Sequence, residues 1–309
     1  MIYTITLNPA LDYVIGIEDF QIGEINLGEK ENILPGGKGI NVSILLKTLG
    51  IDSTAIAFMA GFVGKEIERR VKEYGIKTNF IEIENDISRI NMKVTTESKE
   101  TAINGKGPTI EKNYIELLYQ KIEEIEDSDI LVLAGSIPKG VSEDIYQDIC
   151  QRIENKKVKI IVDTTGDSLL KTLKYHPFLI KPNHEELGEI FDVKISSHEE
   201  AIQYAKKLQQ KGARNVLVSM GGMGAILLDE NGNSYKRKGL KAGKRKNTVG
   251  AGDSMIAGFI AGYQLFQDYE KALQMGMAAG TATANSMFLA TKEEIDKLLN
   301  EIEGWKEWW

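Results

Sequence analysis

At 309 residues the chain is long enough to bury a sizeable core, in one large domain or two. Its 42% hydrophobic and 27% charged residues are ordinary for a globular protein, and no apolar run approaches the ~20 residues needed to span a bilayer. A formal net charge of −7 argues against general nucleic-acid binding, because phosphate backbones repel such a surface. No membrane and no nucleic-acid partner is therefore expected. Residues 2–7 lack the basic lead of a signal sequence and are too few for one, so the expected location is cytoplasmic. Cys150, the single cysteine, can form no internal disulfide and belongs to no metal-binding cluster; it reads as a buried small hydrophobe.

In chain order, residues 2–7 read as a strand. Residues 14–33 and 89–103 carry short alternating segments with polar turns, which could pair into a small separate sheet. Between them, Pro35-Gly36-Gly37-Lys38-Gly39 precedes a helical face of Val42, Leu45, Leu46 and Leu49. From residue 128 onward, β-branched runs at 130–134, 158–162, 178–180, 216–219 and 225–228 alternate with amphipathic stretches, the pattern of βα units feeding a mostly parallel sheet. Ser197 and Glu200 form a capping-box pattern ahead of Ala201, Tyr204, Ala205 and Leu208 at helical spacing. The lysine-rich run at 236–246 reads as a solvated loop near an active-site entrance. Small-residue helices follow at 253–266 and 269–285. All three tryptophans, Trp305, Trp308 and Trp309, close the chain, where core docking or a subunit contact is expected.

The segment richest in chemistry is Asn247-Thr248-Val249-Gly250-Ala251-Gly252-Asp253-Ser254, a glycine turn leading into a helix. Its unpaired N–H groups suit a phosphate or a developing oxyanion, and Asp253 is placed to take a proton from an attacking alcohol. The alternative is an Asp that simply caps the helix. The turn at residues 35–39 offers flexible backbone, the Lys38 cation and the Asn41 amide, a set suited to a sugar phosphate. Neither turn has the spacing of a P-loop, and Gly222 to Leu227 fails the spacing of a dinucleotide fingerprint.

Lys181-Pro182-Asn183-His184-Glu185-Glu186 follows a strand, at the edge where open α/β sheets bind ligands. Glu186, with Asn183 nearby, would suit Mg²⁺, or these acids merely decorate a helix start. Gly221-Gly222-Met223-Gly224 reads as a hairpin turn or as part of a nucleotide site. His184 has no partner at zinc-binding spacing and reads as structural.

Taken together these motifs resemble the ribokinase-like carbohydrate kinases of the PfkB type. Within that family they are most similar to the 1-phosphofructokinase branch, with the tagatose-6-phosphate kinase branch next. The resemblance runs through Thr6-Leu-Asn-Pro-Ala-Leu-Asp12, Pro35 to Ser43, Arg89-Ile-Asn91, Ile103-Asn-Gly105, Ala134-Gly-Ser-Ile-Pro138, Lys181-Pro-Asn183, Val218-Ser-Met-Gly221 and Asn247 to Ser254. It implies a single α/β domain over residues 1–309, with a mostly parallel central sheet flanked by helices. A small β-sheet lid is inserted at about 12–34 and 88–104, and a homodimer through that lid is left open.

The implied chemistry is in-line phosphoryl transfer from ATP with Mg²⁺ to a sugar phosphate. Asp253 maps to the catalytic base and Gly250, Ala251 and Gly252 to the anion hole. Asp12, Gly37, Lys38, Asn41, Arg89, Asn104 and Ser136 map to the sugar-phosphate side. Lys181, Asn183, Ser219, Gly221, Gly224, Thr248, Thr281 and Asn285 map to the nucleotide side, and Glu186 to the acid that organises the metal. Two positions depart from the family: Leu27 and Ile44 stand where arginines are frequent, which bears on which phosphosugar fits. A neutral-sugar kinase would leave Lys38 and Arg89 without a partner, and a silent sensor would be expected to lack Asp253.

Overall fold

Buried β-branched and aliphatic residues in consecutive positions make strands that are covered on both faces. The computed structural model describes residues 1–96, 100–240 and 249–302. Strands β1 (Ile2–Thr6), β2 (Ala10–Gly16) and β3 (Lys30–Gly36) precede helix α1 (Lys38–Thr48), and β4 (Thr54–Ala60) feeds α2 (Gly61–Glu73). Four strands follow: β5 (Lys77–Thr78), β6 (Ile81–Ile83), β7 (Arg89–Thr95) and β8 (Glu100–Asn104). The next stretch alternates α3 (Lys112–Glu123), β9 (Ile130–Ala134), α4 (Ile145–Arg152), β10 (Lys159–Asp163), α5 (Gly166–Thr172) and β11 (Leu179–Ile180). After α6 (His184–Phe191) and α7 (His198–Gln210) come β12 (Asn215–Ser219), β13 (Ala225–Leu228) and β14 (Ser234–Arg237). Helices α8 (Ala251–Phe266), α9 (Tyr269–Asn285) and α10 (Lys292–Asn300) close the described chain.

Among the described residues ten strands form one mixed sheet in the order β14-β13-β12-β11-β10-β9-β1-β4-β5, with β6 also on β4. Its pairings are parallel except at β12–β13 and β13–β14. Alternate residues enter opposite cores: Ile130, Val132 and Ala134 join the side of α1, α8 and α9, and Leu131 and Leu133 join that of α3, α4 and α7. The alternation explains why these runs show no polar face. Helices α8 and α9 approach closely because a Cβ on Gly258 would fall 2.5 Å from the Met275 carbonyl oxygen. The small residues there serve packing, as expected.

The two short alternating segments do pair. Strands β3, β2, β7 and β8 form a second, four-stranded sheet in that order, with β2 parallel to β7. Helix α7 differs in one detail from the capping-box reading. Ser197 accepts from the Glu200 amide, but the Glu200 carboxylate turns to the amide and hydroxyl of Ser196, which precedes the cap. Cys150 is buried in the core, and burial pushes its thiol up to about 12. Among the described residues no helix is long and apolar enough to cross a membrane. Thr248, Lys241 to Lys246 and the three tryptophans lie outside the described residues.

Candidate active site

Helix α8 starts at the carboxyl edge of the large sheet, and its N-cap is Gly250 at φ 79°, a left-handed conformation that glycine adopts without strain. The first bond of the helix runs from the Ser254 amide to the Gly250 carbonyl, so the amides of Ala251, Gly252 and Asp253 precede the ladder. That is the anion-binding end of a helix dipole. No side chain caps it, so Asp253 is not a capping residue. Its carboxylate, 5% exposed, accepts instead from Asn41 Nδ2 of α1 at 2.8 Å. Burial, and then the neighbouring charge of Asp163, raise the Asp253 pKa to about 6, against the opposing pull of Asn41, Lys38 and Lys181. A carboxylate so placed can hold a proton near neutral pH, as a general base requires.

Asp163 was not singled out in the sequence, yet it organises the centre. It ends β10, is 3% exposed, and takes Lys38 Nζ on Oδ2 and Lys181 Nζ on Oδ1, each at 3.1 Å. Burial disfavours its charge, but the two lysines outweigh that and hold it below the ordinary carboxylate range. Burial likewise works against Lys38, and Asp163 and Asp253 more than offset it, leaving its pKa raised. Lys181 reaches the start of α8: a Cβ on Gly252 would lie 3.1 Å from its Nζ. The group carries two cations against the two carboxylates Asp163 and Asp253, beside the three amides that precede the α8 ladder. The one sequence signal for Asp163 was its place at the carboxyl end of a buried strand.

A cleft of about 660 Å³ opens over the carboxyl ends of β9 and β10, with Lys38, Ser136 and Asp163 in its wall. Beside it a cavity of about 200 Å³ brings together Gly37, Lys38, Arg89 and Ser136, four of the residues expected on the sugar-phosphate side. Arg89 Nε is buried without a partner, and burial lowers its pKa, with Asp12 partly offsetting the loss. Asn8 lines the same cavity and was missed. Asp12 stands on β2 and accepts from Asn91 Nδ2 at 2.9 Å and Lys93 Nζ at 3.3 Å, both on β7. Asn104 lies on β8 opposite Asn91 and is exposed. Asn41, expected among these residues, donates to the Asp253 carboxylate.

On the other side, Asn183 and Ser219 pair as an isolated bridge that joins β12 to the start of α6. Asn183 caps that helix by accepting from the amides of Glu185 and Glu186, and Glu186 returns a bond from the Asn183 amide at 2.8 Å, a complete capping box. Glu186 thus acts as a helix-start acid in this state, and one oxygen stays outside the box. Gly221 and Gly224 bracket a tight turn between antiparallel β12 and β13, the hairpin reading. Thr281 and Asn285 sit one turn apart on α9, with Asn285 Oδ1 buried and unpartnered. His184 Nδ1 is buried without a partner as well. Among the described residues no group of three or more His, Cys, Asp or Glu side chains is arranged to hold a metal.

The chain belongs to the pfkB family of carbohydrate kinases, whose pattern matches residues 6–294. It is a phosphotransferase with an alcohol acceptor, a sugar-phosphate kinase with a ribokinase-like α/β fold. It is 43% identical to a 1-phosphofructokinase of Bacillus subtilis, over 98% of this chain and 99% of that one. A D-tagatose-1-phosphate kinase of Bacillus licheniformis is 38% identical, over 98% and 99% of the two chains. Phosphofructokinase-2 from Escherichia coli, solved with substrates and products, superposes at a TM-score of 0.90 with 27% identity, covering 96% and 97%.

Proposed function

We propose that this protein transfers the γ-phosphoryl group of ATP to the free 6-hydroxyl of fructose 1-phosphate, giving fructose 1,6-bisphosphate, with Asp253 as the general base. The observation that carries the reading is the buried Asp253 carboxylate at the bare start of α8, raised to about 6 and held by Asn41. In this reading Asp253 takes the proton of the attacking hydroxyl. The amides of residues 251–253 and Lys181 receive the charge that develops on the transferring group. Lys38 and Arg89 meet the phosphate the sugar already carries, and Asp12 meets its hydroxyls.

The nucleotide lies along Asn183, Ser219, Gly221 and Gly224, with Thr281 and Asn285 at its far end. The donor set fits a magnesium ion carried in on the nucleotide's phosphates, because both Asp163 oxygens already pair with lysines and only one oxygen of Glu186 is outside its capping box. Bound there, the ion neutralises phosphate charge. Nothing in the donor set forms a protein cage for it.

A 1-phosphate is preferred because the 43% and 38% relatives are both named for 1-phosphates, so tagatose 1-phosphate ranks second and tagatose 6-phosphate, the other sequence-level alternative, third. The four-stranded sheet closes over the sugar, and its exposed Ile90, Met92 and Ile103 form the contact of a homodimer. A coupled ADP-release assay over fructose 1-phosphate, tagatose 1-phosphate, tagatose 6-phosphate and fructose 6-phosphate tests the acceptor. The highest kcat/KM is expected for fructose 1-phosphate. A tenfold preference for either 6-phosphate, about 1.4 kcal/mol, would overturn the assignment.

A further inference from the structure

The four-stranded sheet buries two polar side chains to which neither the site mapping nor the proposed reaction gives a role. Lys93 and Asn91 point to one face of β7, as alternate residues must, and are 9% and 8% exposed. A buried ammonium is costly unless it is paired. Lys93 has its partner in Asp12, the carboxylate expected to meet the sugar. Each Asp12 oxygen is thereby held by one β7 side chain, Oδ1 by Asn91 and Oδ2 by Lys93. From below, the carboxylate rests on bare backbone: a Cβ on Gly36 would lie 2.9 Å from its carbon. Asp12 is thus fixed between the small sheet and the glycine turn that leads into Lys38.

The orientation of Asn91 follows from chemistry. Ionised Asp12 can only accept, so the group facing it must be the Asn91 amide nitrogen, and Oδ1 is left buried with no partner. An orphaned acceptor of this kind is matched by a donor such as a sugar hydroxyl. A fixed carboxylate and a fixed amide oxygen on one face of the small sheet present acceptors to the same polyol.

We propose that Lys93 is a positioning residue for sugar recognition: it locks Asp12, with Asn91, into the rotamer that accepts the ketohexose hydroxyls, and takes no part in phosphoryl transfer. It also cancels the charge that Asp12 would otherwise set against an incoming dianionic sugar phosphate. The inference rests on the reading of the site given above.

The test compares wild type, Lys93→Met, Lys93→Arg, Asp12→Asn and the Lys93→Met/Asp12→Asn pair, on whichever ketohexose phosphate the wild type accepts. Lys93→Met should raise KM for the sugar phosphate about tenfold or more, the scale of one charge-assisted hydrogen bond. Its kcat and its KM for ATP should stay within about twofold, against that much larger change. Lys93→Arg should recover most of the loss. In the Asp12→Asn background the methionine should add little, because Lys93 acts through Asp12.

An unchanged KM in Lys93→Met would overturn the proposal, as would a loss in kcat alone. A further tenfold loss in the double variant would show a direct contact and overturn it too. If Lys93→Met fails to fold, Lys93→Gln takes its place, with a rise in KM expected and an unchanged KM decisive against. A wild type inactive on every phosphosugar would sink the proposed function, whereas these outcomes judge Lys93 alone.

Discussion

The two sheets of this molecule distribute polarity in opposite ways. In the central strands of the ten-stranded sheet both faces are largely apolar and buried, and Asp163, Lys38, Lys181 and Asp253 meet at its carboxyl edge. The four-stranded sheet buries Asn91 and Lys93 on one face and shows Ile90, Met92 and Ile103 to solvent on the other. An ordinary half-exposed sheet does the reverse. On the proposed function, the large sheet holds the reacting centre still, and the small one recognises a polar ligand inside and meets an apolar surface outside.

If that division is right, damage to the large sheet's edge should appear in kcat and damage to the small sheet in KM for the sugar. Lys181→Met removes the cation beside the start of α8 and should lower kcat about 10²- to 10³-fold, the range for one lost donor to a developing charge. Steady-state kinetics would show it, and a change confined to KM would break the comparison.

The second largest effect is on stability. Because burial raises the Asp253 pKa to about 6, its contribution is present at low pH and lost as pH rises through 6, where the fold must hold an unfavourable charge. Asp253→Asn should therefore be the more stable protein near pH 8, by up to about 3 kcal/mol, with the advantage fading toward pH 4. Melting curves at both pH values check this. An advantage independent of pH would point to packing instead.

In the small sheet, Gly36→Ala would push the Asp12 carboxylate away and should raise sugar-phosphate KM about tenfold with kcat nearly kept, the size of one lost charge-assisted bond. Equal losses in kcat would place Asp12 in the chemistry. The smallest effect concerns the missing arginines. Leu27 is 83% exposed, so Leu27→Arg should leave the melting temperature unchanged and lower sugar-phosphate KM by about threefold or less, the reach of a surface charge. A rise in KM would show that the aliphatic residue is itself selected by the substrate.

Strand runs with turn signals were legible from the sequence, including the small sheet, because period-two alternation and glycine turns are local properties. The bare start of α8 was legible for the same reason. Asp163 was not, since a single Asp at the end of an apolar run gives no sign that two lysines, from α1 and from the segment after β11, converge on it. The sequence places Asn41 beside Lys38 but gives no sign that the helix also brings its amide onto Asp253. Ile44 shows the same limit: it is 4% exposed in the core, so a cation there would be buried rather than offered to a ligand. Long-range pairing of charges is set by topology.

The most direct test of the central claim is the pH dependence of kcat/KM for wild type beside kcat for Asp253→Asn. With Asp253 as the base, the wild-type rate should fall as pH drops through about 6. The variant should keep ATP binding and lose about 10²- to 10⁴-fold in kcat. A variant that retains more than about a tenth of wild-type kcat, far outside that range, would contradict a general base at Asp253.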